Sequence, residues 1–326
     1  MLSRVADAIY WMARYLERVA DVARLIDVNL TLTLDLPDEP EPQWRAVVTT
    51  TGDIDAFTAV HPCPTADAVI DFLVFDQENP NSVYRGLRAA RENARSVREI
   101  ISSEVWEQIN RFYLLVTNTR YSAAIDAPSE FFEQVRISSH LIEGVIDGTM
   151  SHGEAWHFAR LGRLLERGEQ TARLLDTKYF LLLPSPEYIG STVDDIQWSA
   201  VLRSASAFEM YRKRHGRVEP QRVVEFLLLD RYFPRATHHC VIQADESLHH
   251  VSGSPVGTFH NAAERELGRL RGEFAFSEAS DIMSGGLHEY LDQLQTKFGR
   301  VGTGIQKTFF GLRPAATDDI TPAANE

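Results

Sequence analysis

Cysteine is nearly absent from this chain. Cys63 and Cys240 are the only two in 326 residues, far apart and in no CxxC spacing. That excludes a disulfide scaffold and a cysteine-rich zinc site, and both thiols are expected to be free in a reducing compartment. Lysine is almost as scarce: Lys178, Lys213, Lys297 and Lys307 stand against a combined Lys and Arg count of 33, so the positive charge is nearly all guanidinium. No apolar run approaches the ~18 residues that a membrane-spanning helix needs. The N-terminus has no short apolar segment followed by small residues, so no secretory leader is expected and a cytoplasmic location is. No GxSxG, P-loop, GxGxxG or HExxH motif occurs, and Gly285-Gly286 and Gly302-x-Gly304 lack the strand context of a phosphate loop.

What is present describes an ordinary globular chain able to bury a large core, with 44% hydrophobic and 24% charged residues. The net charge of −13 argues against nucleic acid or an anionic membrane surface as the main partner. A local arginine pocket remains compatible with it.

The chain contains itself twice. Arg14-x-Leu16-Glu17-Arg18 and Ala23-Arg24-Leu25-Ile26-Asp27 recur 149 positions later as Arg163-x-Leu165-Glu166-Arg167 and Ala172-Arg173-Leu174-Leu175-Asp176. Further on, at an offset of 154, Gln43-Trp44 pairs with Gln197-Trp198, and Phe72-Leu73-x-x-Asp76-x-x-x-Pro80 with Phe226-Leu227-x-x-Asp230-x-x-x-Pro234. Ordered blocks separated by one five-residue insertion point to a tandem duplication. They predict two repeats, about 1–150 and 151–313, related by a pseudo-two-fold and packed as one domain, with 314–326 a disordered tail.

Val5, Ile9, Met12, Leu16, Val19, Ala23, Ile26 and Leu30 step by four and three, so the chain opens on one long amphipathic helix. Phe158, Leu161, Leu165, Ala172 and Leu175 do the same in the second copy. Pro37, then Pro184 and Pro186, are expected to end these helices. Helical periodicity also covers 44–57, 66–75, 82–118, 129–150, 196–214, 221–229, 235–251, 260–274 and 280–310. No alternating strand pattern bounded by hairpin turns appears. The fold class predicted is all-α, a helical bundle.

On the first long helix Arg14, Glu17, Arg18, Asp21 and Arg24 share the face opposite the apolar stripe; Arg163, Glu166, Arg167, Glu169 and Arg173 take the corresponding places in the second. Three readings follow: a solvated face with i,i+3 pairs, a buried network that fixes how the halves dock, or a polar cleft that binds an anionic or zwitterionic ligand. Arg91, Glu92 and Arg95 share a face of a later helix, and Arg235 follows Pro234 where it can reach a helix end or an anion. Asp76 and Asp230 are expected to cap the helices that follow them. Glu154-x-x-His157 and Glu246-x-x-His249 have the spacing of di-metal helical bundles. However, the ligands would not converge at one level, and neighbouring arginines disfavour a cation. No metal and no cofactor are expected, and His238-His239 and His249-His250 read as partly exposed.

The opening Leu2-Ser3-Arg4-Val5-Ala6-Asp7 through Leu16-Glu17-Arg18 resembles the start of the bacterial alpha-E proteins (DUF403), as do Arg88-Ala89-Ala90-Arg91-Glu92-Asn93-Ala94-Arg95, Leu164-Leu165-Glu166-Arg167 and Phe226-Leu227-Leu228-Leu229-Asp230-x-x-Phe233-Pro234-Arg235. The resemblance runs to about Leu312. It implies an all-helical fold with Glu-Arg motifs at Glu17-Arg18 and Glu166-Arg167, and two partners: an ATP-grasp-type carboxylate–amine ligase and a transglutaminase-like protein. The function it suggests is an accessory or binding component of a peptide amide-bond-forming system, holding a peptide-like or amino-acid-like ligand, or the ligase, through the Glu/Arg surface. The candidate ligand-binding residues are Arg14, Glu17, Arg18, Arg91, Glu92, Arg95, Arg163, Glu166, Arg167 and Arg235. The alternatives are an enzyme using Glu17, Glu166 or Glu92 as general acid/base beside arginine-held anions, and a helical scaffold.

Overall fold

Two long helices organise the molecule: α1 at Ser3–Asp35 and α9 at Glu154–Leu181. Neither proline nor glycine interrupts α1, whose Ala, Leu, Arg and Glu content suits a helix about 50 Å long. Our computed structural model describes residues 1–35, 41–119, 121–181 and 192–311. The prolines expected to end the long helices and the expected tail at 314–326 lie outside these. Among the described residues every regular element is helical and no strand occurs.

After α1 come α2 (Glu41–Thr51), α3 (Ile54–Val60), α4 (Ala66–Ile70), α5 (Val83–Ser96), α6 (Ser103–Asn118), α7 (Tyr121–Asp126) and α8 (Pro128–Thr149). Following α9 are α10 (Thr192–Ser204), α11 (Phe208–His215), α12 (Pro220–Val224), α13 (Thr237–Ser252), α14 (Ala262–Ala275), α15 (Ala279–Gly285) and α16 (Leu287–Ile305). Both α4 and α12 run into a wider π turn, at Asp71–Phe75 and Glu225–Leu229, 154 positions apart like the sequence blocks that contain them.

Four spans that read as single helices are broken, each for a local reason. Gly52 takes a φ of +82° between α2 and α3, and Ser206 a φ of +51° between α10 and α11. Gly286, at a φ of +102°, separates α15 from α16. The span 82–118 ends its first helix at Val97 and restarts where the Ser102 hydroxyl accepts the Val105 N–H. Asp76 and Asp230 do not cap the following helices. Asp76 accepts the Glu78 N–H, Asp230 accepts those of Tyr232 and Phe233, and Ser82 caps α5 instead. His238 and His249 are also buried rather than partly exposed.

Two apolar cores flank the long helices. One gathers residues from Val5 to Met150 with Phe158 and Ala159; the other joins Tyr10 and Ala46 to residues from Leu161 to Ile305. The apolar stripe of α1 thus faces its own half of the chain, and its charged face meets α9. Backbones come close there: a Cβ on Gly162 would stand 2.4 Å from the Tyr10 carbonyl oxygen. Small residues also set the contacts of each long helix with its neighbour. Gly86 of α5 accepts Val19 of α1, while Gly168 of α9 accepts Cys240 of α13, so the glycine has changed sides.

Candidate functional site

The Glu-Arg dipeptides of α1 and α9 meet reciprocally. Arg167 donates from Nε and Nη2 to the two carboxylate oxygens of Glu17, both at 2.8 Å, and Arg18 donates from the same atoms to Glu166 at 2.7 and 3.0 Å. Two planar forks therefore cross between the helices, each with charge-assisted parallel bonds. Arg14 adds a bond from Nε to Glu166 at 2.6 Å, Gln170 one at 2.9 Å, and Arg235 donates from Nη1 to Glu17 at 2.8 Å and Asp21 at 3.0 Å. Glu166 is fully buried and Glu17, Arg167, Arg24 and Arg235 are buried. Arg24 pairs with Asp21 and donates from Nε to the Ser204 carbonyl at 2.8 Å, satisfying a C-terminal carbonyl of α10.

This electrostatic arrangement fixes protonation. Burial pushes both glutamates up, but Arg167 and Arg235 overcome it at Glu17 and hold that carboxyl well below its usual range. At Glu166, burial is outweighed by Arg14 and Arg18, and the carboxyl titrates down at about 2. Glu17 and Glu166 are consequently fixed anions, poor at accepting or delivering a proton near neutrality. Asp21 shifts the other way, raised by burial against the pull of Arg24.

A narrow cleft with about 30 Å³ of free space opens beside this clamp, between α1, α8 and α9. Glu17, Arg24, Glu143, Asp147, Trp156, Arg160 and Arg163 line it, together with apolar residues such as Leu16, Ile142 and Ile146. Glu143 accepts from Arg167 at 2.9 Å and pairs with Arg163 at 3.3 Å, while Asp147 accepts the Trp156 indole N–H at 3.1 Å. Arg160 lies over the Trp156 ring at 5.3 Å. Burial raises Glu143, yet Arg167 and Arg163 keep it below its usual range, so it too stays ionised. The Nε–H of Arg163 is buried and has no acceptor. A buried guanidinium N–H without a partner is costly.

Of the residues singled out from sequence, Arg14, Glu17, Arg18, Glu166, Arg167 and Arg235 come together in the clamp, with Arg163 in the adjoining cleft. Arg91, Glu92 and Arg95 do not join them. Arg91 donates to Asn110 at 2.8 Å and lies 5.0 Å from the Tyr113 ring, and the half-exposed Glu92 pairs with Arg91 and Arg95 on α5. Glu143, Asp147 and His140 were missed. Their spacing on one face of α8 was the available signal, and they have no counterpart in the repeated blocks. A third Glu-Arg dipeptide, Glu264-Arg265, opens α14, where buried Glu264 accepts the Ser254 hydroxyl at 2.7 Å and the His260 N–H at 2.6 Å. Among the described residues no group of three or more His, Cys, Asp or Glu side chains is placed to hold a metal ion, and no helix is long and apolar enough to cross a membrane.

Residues 1–310 match the Alpha-E family model, described as a predicted alpha-helical domain with a conserved ER motif. The chain is 24% identical over 312 residues to an uncharacterized protein of Mycobacterium bovis and, equally, to one of Mycobacterium tuberculosis. A second M. tuberculosis strain has an uncharacterized protein at 23%. Each match covers 89% of this chain and 34% of the relative, so the chain spans about a third of the length of the curated relatives it matches. No solved structure matches.

Proposed function

From the premise that this chain belongs to the alpha-E family, we propose that it is a non-catalytic binding component of a peptide amide-bond-forming system and works with an ATP-grasp-type ligase in the cytoplasm. Its ligand is amino-acid-like. The cleft between α1, α8 and α9 holds a carboxylate on Arg163 and an amine on Glu143 and Asp147. Arg163 carries this reading: its Nη1 and Nη2 pair only loosely with Glu143 at 3.3 Å and Asp147 at 3.8 Å, and its buried Nε–H has no partner.

The reciprocal Glu17–Arg167 and Arg18–Glu166 forks have a different task here. In this reading they join two tandem copies across a pseudo-two-fold, which the reciprocal pairing of the dipeptides supports. Carboxylates held ionised by arginines weigh against Glu17 or Glu166 as a general acid or base. The curated relatives, about three times longer, support a component role, because there the unit is joined to further sequence.

The test is affinity purification from the native host with wild type and Asp147→Asn, followed by mass spectrometry of proteins and small molecules. We expect a carboxylate–amine ligase with wild type, together with an amine-bearing amino acid or peptide that Asp147→Asn fails to retain. Identical small molecules from both, or none from either, would overturn the ligand reading.

A further inference from the structure

The cleft and a second groove meet at Arg24, which lines both. This groove, of about 680 Å³, follows α1 onward from Arg24 to Leu32, between α8 and α10. Arg24 lines both spaces, and α8 supplies the wall of both, with Asp147, Glu143 and His140 in the cleft and Arg136 in the groove. Arg136 to Asp147 spans about 16 Å along a helix, the length of roughly five extended residues.

Charge is laid out along this length. The cleft end presents Glu143 and Asp147, with Arg163 behind them. The groove end presents Arg136, two-fifths exposed and in only loose pairs with Asp27 at 3.6 Å and Glu133 at 3.9 Å, and Arg203, held over the Phe208 ring at 4.2 Å. Ser206 and Ser199, whose hydroxyl donates to the Asp195 carbonyl at 2.7 Å, also line the groove. Ser206 is the one non-glycine residue with positive φ among the described residues. Its equivalent by the 154-residue offset, Gly52, takes a φ of +82° without a Cβ to strain. Strain retained on a hydroxyl-bearing residue marks a wall with a task.

We propose that the ligand is an extended peptide of about five residues or more. Its C-terminal charged groups dock at the mouth of the cleft, on Arg163 and Asp147, and a carboxylate near its other end is held by Arg136 and Arg203. This rests on the cleft reading above and adds the groove to it. Free amino acids reach only the cleft.

Calorimetric titration of the full chain separates the two. The probes are free lysine, an N-acetylated pentapeptide with glutamate first and a C-terminal lysine, and the same peptide with glutamine first. We expect the glutamate peptide to bind at least about tenfold more tightly than lysine, as one added charge-assisted contact gives. The glutamine peptide, or an Arg136→Gln/Arg203→Gln variant that retains the wild-type melt, should lose that gain and leave lysine binding unchanged. Equal affinities for lysine and both peptides would overturn the groove and leave the cleft reading standing. Failure of lysine and both peptides to bind would overturn both.

Discussion

Replacing Glu17 by glutamine is the sharpest perturbation of the clamp. The side chain keeps its shape but loses the charge that receives two bonds from Arg167 and one from Arg235, all at 2.8 Å. Arg167 retains Glu143 at 2.9 Å and Arg235 retains Asp21 at 3.0 Å, so neither arginine is left wholly unpaired. Even so, one side of a buried pair is removed, which costs about 3–5 kcal/mol. For 326 residues melting together, the unfolding entropy near 60 °C is roughly 0.7 kcal/mol/K. The Tm should therefore fall by about 4–7 °C, and by more if the half containing the mutation melts separately. Differential scanning calorimetry reads this directly. Glu166→Gln should lose at least as much, because its carboxylate is fully buried with four donated bonds. A Glu17→Gln melt within about 1 °C of wild type would refute the clamp, since the exposed pairs of a solvated face contribute that little.

Other expectations follow from the same contacts. Acid should destabilise the protein in a definite window. The folded-state pKa values of Glu17 and Glu166 lie below the ordinary 4.5, so the stability they contribute is full above that value. It is lost as pH falls toward about 2, while the raised Asp21 works in the opposite sense; a Glu17→Gln variant should show a shallower fall of Tm below pH 4.5. Gly162→Ala must push α1 away from α9 and should cost about 1–3 kcal/mol, whereas exposed Gly268→Ala, with open space at its Cβ, should gain roughly 0.5–1 kcal/mol in the same melting assay. Ser206→Gly relieves a left-handed conformation and should raise stability by about 1 kcal/mol, read as a higher denaturant midpoint at unchanged slope.

Much of this was legible in the sequence because the helical period and the repeated blocks are strong local signals. The stripe from Val5 to Leu30 gave α1, and the identical spacing of Glu17-Arg18 and Glu166-Arg167 singled out the residues that meet. The stripe alone could not say that the charged face is buried as well. That follows from α9 presenting the same face in return, a long-range pairing that no window of sequence contains. The break at Ser206 was missed because serine is a weak turn signal without a glycine or proline beside it; only its alignment with Gly52 hinted at one. The cleft was missed for a related reason. Glu143 and Asp147 lie outside the repeated blocks, and their partners Arg163 and Trp156 are brought to them by the α8–α9 turn. Arg91 and Glu92 misled in the opposite way: Arg91 meets a neighbouring helix, α6, rather than the long pair, and Glu92 stays half-exposed beside Arg91 and Arg95.

In the proposed function a clamp holds the fold and a separate cleft binds the ligand. The most direct test is to titrate free lysine into wild type and Arg163→Lys while following the melt of each. Lysine at this position keeps the positive charge beside Glu143 but removes the Nε–H that has no acceptor in the protein. The account predicts a Tm within about 2 °C of wild type and lysine binding weakened by about tenfold, the loss of one charge-assisted bond. Undiminished lysine binding by Arg163→Lys, or no binding by the wild-type chain, would contradict it.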